Sequence, residues 1–203
     1  MKINIHYSFL FLIMFGFFAG LITETLIFIL IVILHEMAHT FMSILMGKKV
    51  KKITLTIVGG IIDIEEVESN YIKNFFISIS GVLMNGLLIL ISTKINNLYY
   101  RKLILDYNKM MIMINLLPIF PLDGYRIIDS IIFGFFPTYK TIKKMICLSI
   151  ISVFIFIIFG IYNRSLGLVI IGLFLGYRNM EIYIMREKVF LKRLVYNYRI
   201  NQT

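Results

Sequence analysis

Three side chains in the apolar run "ILIVILHEMAHTFMSILMG", residues 29–47, are able to do chemistry: His35, Glu36 and His39. On a helix, positions i and i+4 share a face one turn apart. His35 and His39 then direct one ring nitrogen each at a single ion, with Glu36 beside it. Paired imidazoles suit one zinc ion, and an open site on such a pair needs a third protein ligand and keeps a place for water. The ion polarises a carbonyl and makes water acidic near neutral pH, while Glu36 takes and returns the proton. The pattern is short enough to arise by chance. Yet the chain holds only three histidines and eleven acids, and two of the first and one of the second meet in register inside an apolar helix. A carboxylate at membrane depth is disfavoured by about 2.5–3.5 kcal/mol, and a bound dication offsets that placement.

The third ligand has to come from elsewhere. His6 precedes the first apolar run, Glu24 lies about three helical turns before His35, and Asp63, Glu65, Glu66 and Glu68 fall in a polar loop. Asp106 sits at the far end of another apolar stretch. That leaves Asp123 in "NLLPIFPLDGYRI", with Asp129 as a weaker substitute. Prolines at 118 and 121 break the helix, which at membrane depth is tolerated only where the backbone is buried in protein or faces a wet cavity. Asn115, an amide on the same broken helix, is placed to hold a substrate backbone or an oxyanion.

The elements that must position these groups follow from composition. Hydrophobic residues make up 59% of the 203 and charged residues 16%, which is membrane composition rather than that of a soluble domain. We read an all-α polytopic membrane protein of about six spans: 8–23, 24–46, 72–92, 104–117, 142–161 and 165–184. "DGYRIIDSIIFGFF" is a partly buried or re-entrant helix. The first run has one basic residue before it and no clear cleavage site, so it reads as a retained span rather than a signal peptide. Residues 1–185 form one integral-membrane domain and 186–203 a basic cytosolic tail that lies against anionic lipid. The lone Cys147 excludes an internal disulfide.

Between the second and third spans, "ITLTIV" alternates as a strand, and Gly59-Gly60 supply a hairpin turn. "KINIHYSF" offers another short strand beside it. Such a hairpin lines a cavity or lies at the membrane interface. A strand from "ITLTIV" is then able to pair with an extended substrate.

The net charge of +10 is explained by topology rather than by nucleic acid, which we exclude as a partner. With both termini cytosolic, all 21 Lys and Arg except Lys94, Arg101, Lys102, Lys109 and Arg164 fall on the inside. The motif then lies about 12 Å from the cytosolic end of its helix at 1.5 Å per residue.

At "HEMAH" and "NLLPIFPLDG" the chain resembles the site-2 protease family of intramembrane zinc metalloproteases, whose element reads Asn-x-x-Pro-x-x-Pro-x-Asp-Gly. "SISGVLMNG" resembles the family's third-span motif: Gly81 and Asn85 are present, and Val82 stands where a proline is common. "INIHYSF" and "VFLKRLVYNYR" look like the stage IV sporulation protein FB subfamily of spore-forming bacteria. The resemblance implies His35, His39 and Asp123 as ligands of one zinc ion and Glu36 as catalytic acid/base. Asn85, Asn115, Gly59 and Gly60 are its candidates for contacting substrate or an oxyanion. It further implies a bacterial membrane enzyme that cuts a membrane-associated proprotein of a sporulation sigma factor in the mother cell, under inhibitory or activating membrane partners. Longer members carry a C-terminal cystathionine-β-synthase-type domain, for which there is no room after residue 185, so the resemblance does not by itself extend nucleotide control or the same substrate to this chain. The rival readings are a metal transporter and a non-catalytic scaffold. A transporter needs polar residues along several spans, and the last two have almost none.

Overall fold

The computed structural model describes residues 2–5, 13–14, 16–48, 50–56, 59–64 and 70–191, the three strands by backbone alone. In chain order the elements are β1 (Lys2–Ile5), α1 (Ile22–Leu45), β2 (Val50–Thr56), β3 (Gly59–Ile64), α2 (Tyr71–Ser92), α3 (Leu98–Asn115), α4 (Asp123–Phe135), α5 (Tyr139–Tyr162) and α6 (Leu166–Ile184). Residues 8–12 and 15 of the predicted first span, His6, Glu65, Glu66, Glu68 and the tail beyond 191 lie outside the described residues.

Among the described residues, four helices are long and apolar enough to cross a membrane: α1, α2, α5 and α6. The chain is an integral membrane protein. The fourth predicted span falls on α3, which starts six residues earlier than expected and carries Arg101, Lys102, Asp106 and Lys109. Four charges in an 18-residue helix set it apart from the other four.

Contacts group the chain into two compact units, one of Met1–Val67 with Ile79–Met113, the other of Glu68–Ser78 with Ile114–Thr203. In the first, α1 is turned inside out for a water-soluble helix. Its buried face carries His35, Glu36, His39, Thr40 and Ser43 beside Ile29, Ile31 and Val32. Leu26, Leu30, Met37, Phe41 and Ile44 are exposed, as lipid-facing residues should be. The hydroxyls on that face are satisfied within the helix: Thr40 donates to the Glu36 carbonyl (3.0 Å) and Ser43 to that of His39 (2.8 Å). Gly47, at φ +76°, closes α1. The Lys48 N–H reaches the Ser43 carbonyl and the Gly47 N–H that of Ile44, the paired bonds of a left-handed C-terminal stop.

β1, β2 and β3 form a three-stranded sheet in that order. β1 runs parallel to β2 with Lys2 opposite Lys52. β2 and β3 are antiparallel, Thr56 opposite Gly59 and Leu55 opposite Gly60. Two expectations change here. Gly59 and Gly60 are the first ladder residues of β3 rather than the turn, because the pairing closes at Thr56. β2 is the central strand, with neighbours on both sides, so among the described residues the sheet's edges belong to β1 and β3.

The second unit is built on the α5–α6 pair. Lipid is as apolar as the side chains, so helices in a membrane associate by close packing rather than by hydrophobic exclusion. Gly160 and Gly172 permit it: a Cβ on Gly160 would stand 3.1 Å from Leu168 Cβ, and one on Gly172 only 2.6 Å from Ile157 Cγ1. Thr138 and Ser165 cap the two helices by accepting from Thr141 and Leu168 N–H. Into this pair the loop after α3 inserts Ile119 and Leu122, which pack with Val153, Phe156 and Leu175. Phe133 of α4 packs with Ile142 and Ile146.

Candidate metal centre

His35 and His39 stand one turn apart with rings edge to face, centroids 4.7 Å apart and planes at 87°. Their Nε2 atoms approach to 3.1 Å. Both rings are buried. Each is held on its far side by α2: Asn85 Oδ1 lies 2.9 Å from His35 Nδ1, and Ser80 Oγ lies 3.3 Å from His39 Nδ1. An amide oxygen only accepts, so this contact calls for a hydrogen on His35 Nδ1, and in the neutral ring Nε2 then keeps its lone pair on the side of His39. A metal-binding histidine is commonly oriented in this way, through its second nitrogen.

The close approach of α1 and α2 needs Gly81. A Cβ there would collide with His39 Nε2 and with Cε1 of both rings. Asn85 is fully buried, and its Nδ2 finds no hydrogen-bond acceptor among the described residues.

Asp123 is the first residue of α4, buried, in the helix's first turn. Gly124 follows because the turn is tight, and a Cβ there would run into the Leu116 and Leu117 carbonyl oxygens. One ligand atom each from His35, His39 and Asp123 lie within 4.8 Å of one another, and all three side chains are buried.

The donor set fits one divalent ion. Two ligands at 2.0–2.1 Å from a tetrahedral zinc stand about 3.3 Å apart, close to the 3.1 Å between the two Nε2 atoms. Two nitrogens and a carboxylate leave a fourth position open, the ligand count of a hydrolytic zinc site. Glu36, next to His35, is also buried. A buried carboxylate pair beside two imidazoles is stabilised by a cation in their midst.

Of the other predicted residues, Asn115 ends α3 and is half-buried, Gly59 and Gly60 lie in the sheet, and Asp129 is buried on α4 two turns beyond Asp123. Asn85, a candidate for contacting substrate, gives its carbonyl oxygen to His35 and keeps its Nδ2 without a partner among the described residues. Sequence reasoning missed Ser80, whose signal was its place one residue before Gly81 in the third-span motif. It also missed Ser149 and Asn179, buried polar side chains in the last two spans.

Residues 23–100 match the family model described as peptidase family M50. The chain is 28% identical over 134 residues to stage IV sporulation protein FB of Bacillus subtilis, covering 63% of this chain and 46% of that protein. It is 27% identical over 151 residues to a zinc metalloprotease of Methanocaldococcus jannaschii, covering 70% and 44% respectively. The chain thus spans less than half the length of these curated relatives. The solved structure of a site-2 protease from Methanocaldococcus jannaschii shares the fold, with a TM-score of 0.64 at 22% identity, over 88% of this chain and 89% of that one.

Proposed function

We propose that this chain, whose residues 23–100 match the model of peptidase family M50, is an intramembrane zinc metalloendopeptidase of that family. The observation that carries the reading is the convergence of His35, His39 and Asp123 ligand atoms within 4.8 Å in a buried setting. His35, His39 and Asp123 hold the ion, and Glu36 is the acid/base. A zinc ion bound there supplies Lewis acidity, polarising a substrate carbonyl and bringing the acidity of water near neutrality.

The chain's own residues do the rest. Glu36 accepts the proton released as water attacks and returns it to the departing amine. Asn85 and Ser80 keep the imidazoles aimed. Asn115 and the spare Asn85 Nδ2 are the amide donors offered to a substrate oxygen. The buried, apolar surroundings strengthen each of these interactions by excluding water.

The substrate is a membrane-associated proprotein cut near the cytosolic face, with both termini of this chain cytosolic, as the distribution of Lys and Arg supports. A helical substrate must unwind to present its scissile bond, and an open edge of the β1–β2–β3 sheet, at the membrane interface, offers main-chain partners for the extended segment. A sporulation sigma-factor precursor in a bacterial mother-cell membrane is the specific substrate, supported by the likeness to the Bacillus subtilis sporulation protein. Inhibitory or activating membrane proteins are its expected regulators. A transporter is disfavoured: the buried polar side chains of α5 and α6 among the described residues are Thr141, Ser149 and Asn179, each already hydrogen-bonded.

The test is the purified full chain in detergent with a membrane-tethered substrate. Glu36→Gln should keep about one zinc per chain and lose cleavage. Undiminished cleavage by that variant, or wild-type protein without zinc, would overturn the reading.

A further inference from the structure

The backbone of Phe120 is gripped on both sides by side chains from the last two spans. Its N–H donates to Ser149 Oγ on α5 at 2.7 Å. The Ser149 hydroxyl donates to Asn179 Oδ1 on α6 at 2.5 Å. Asn179 Nδ2 donates back to the Phe120 carbonyl at 2.8 Å, and with its other hydrogen to the Leu175 carbonyl, also at 2.8 Å. The first three bonds close a ring. Ser149 and Asn179 are 0% and 1% exposed, so water cannot substitute for either.

Direction around the ring is fixed. Ser149 has one hydrogen and gives it to Asn179, so its oxygen must accept from Phe120. Asn179 must then turn its oxygen to Ser149 and its nitrogen to Phe120. A residue between Pro118 and Pro121 has no helix to satisfy its own amide and carbonyl, and at membrane depth such groups need protein partners. On either side Ile119 and Leu122 are sunk among Val153, Phe156 and Leu175. The loop is therefore held by polar and apolar contacts at successive residues, and α4 begins with Asp123 directly after Leu122.

We infer that Ser149 and Asn179 are positioning residues: by clamping Phe120 they fix where the loop delivers the Asp123 carboxylate. The inference deepens the proposed function and rests on Asp123 being a metal ligand. It assigns α5 and α6 a task in the centre although neither supplies a ligand.

The test is zinc affinity of the full chain in detergent, measured by competition with a chelating dye, alongside thermal melting of the zinc-free protein. Ser149→Ala opens the ring, and Asn179→Asp keeps the shape while removing the Nδ2 donor. Both should weaken zinc binding by about 10–100-fold, the usual cost of losing an outer support of a metal ligand. Ser149→Thr, which keeps the hydroxyl, should bind as wild type. Hydrogen exchange at the Phe120 amide should quicken in Ser149→Ala. Should the alanine variant not fold, Ser149→Cys, a weaker donor and acceptor, should show an intermediate affinity. Wild-type affinity in folded Ser149→Ala and Asn179→Asp, or in Ser149→Cys, overturns the inference and leaves the metal site standing. Wild-type protein that binds no zinc overturns both together.

Discussion

Asn85 Oδ1 lies 2.9 Å from His35 Nδ1, joining two buried side chains 50 residues apart in sequence. The bond decides the chemistry of the other ring nitrogen. With the hydrogen held on Nδ1, Nε2 presents a lone pair, the form a metal requires. Among the described residues it ties the third-span motif to the metal-binding one. Asn85→Leu removes the acceptor at similar volume and frees the ring to rotate or change tautomer. Zinc affinity in a chelator competition should fall about 10–100-fold. Asn85→Asp keeps an acceptor and should retain the ion. Equal affinity in the leucine and aspartate variants would mean that the bond orients nothing.

Gly81 should tolerate no side chain. Its absent Cβ occupies the space of the His39 Nε2 atom and of Cε1 in both rings. Alanine is the better helix former by roughly 1 kcal/mol, so Gly81→Ala should not unravel α2. It should instead push the imidazoles off their convergence, giving a folded protein by circular dichroism with little bound zinc. A zinc-loaded Gly81→Ala protein would show that α1 and α2 yield to the added methyl group.

The grouping of His35, His39 and Asp123 was legible in the sequence because each is chemically conspicuous: imidazole in an apolar run, or an aspartate after two helix-breaking prolines. The spans α1, α2, α5 and α6 were legible for the same reason of contrast, within a few residues at each end. Asn179 and Ser149 were not, since one serine or asparagine in a span reads as filler until its partner, a backbone group 59 or 29 residues away, is in place. Gly59-Gly60 misled because glycine permits a turn without demanding one, and the register of β2 with β3 put both in the ladder. The same register made β2 central, which alternation alone does not reveal.

Gly124→Ala is expected to act through the backbone. Its Cβ would meet the Leu116 and Leu117 carbonyl oxygens, and a main chain clamped at Phe120 has little freedom to move away. Forced crowding of a packed site costs about 1–3 kcal/mol. Thermal unfolding in detergent should shift down accordingly, with zinc affinity reduced as Asp123 is displaced. A variant with wild-type melting temperature and wild-type zinc affinity would show the loop to be compliant.

Metal removal should expose the ion's share of stability. The proposed ligands come from α1 and α4, far apart in the chain, so the ion acts as a cross-link present only in the folded state. A ligand bound to the native state alone stabilises it by about 4 kcal/mol at a thousand times its dissociation constant. Chelation should therefore lower the melting temperature of the wild-type protein by several degrees, and added zinc should restore it. His35→Ala and Asp123→Asn should each melt near the chelated wild type, with no further response to chelator. If Asp123→Asn kept the full zinc-dependent shift, the carboxylate would lie outside the coordination sphere and the ion would rest on the two histidines and another group.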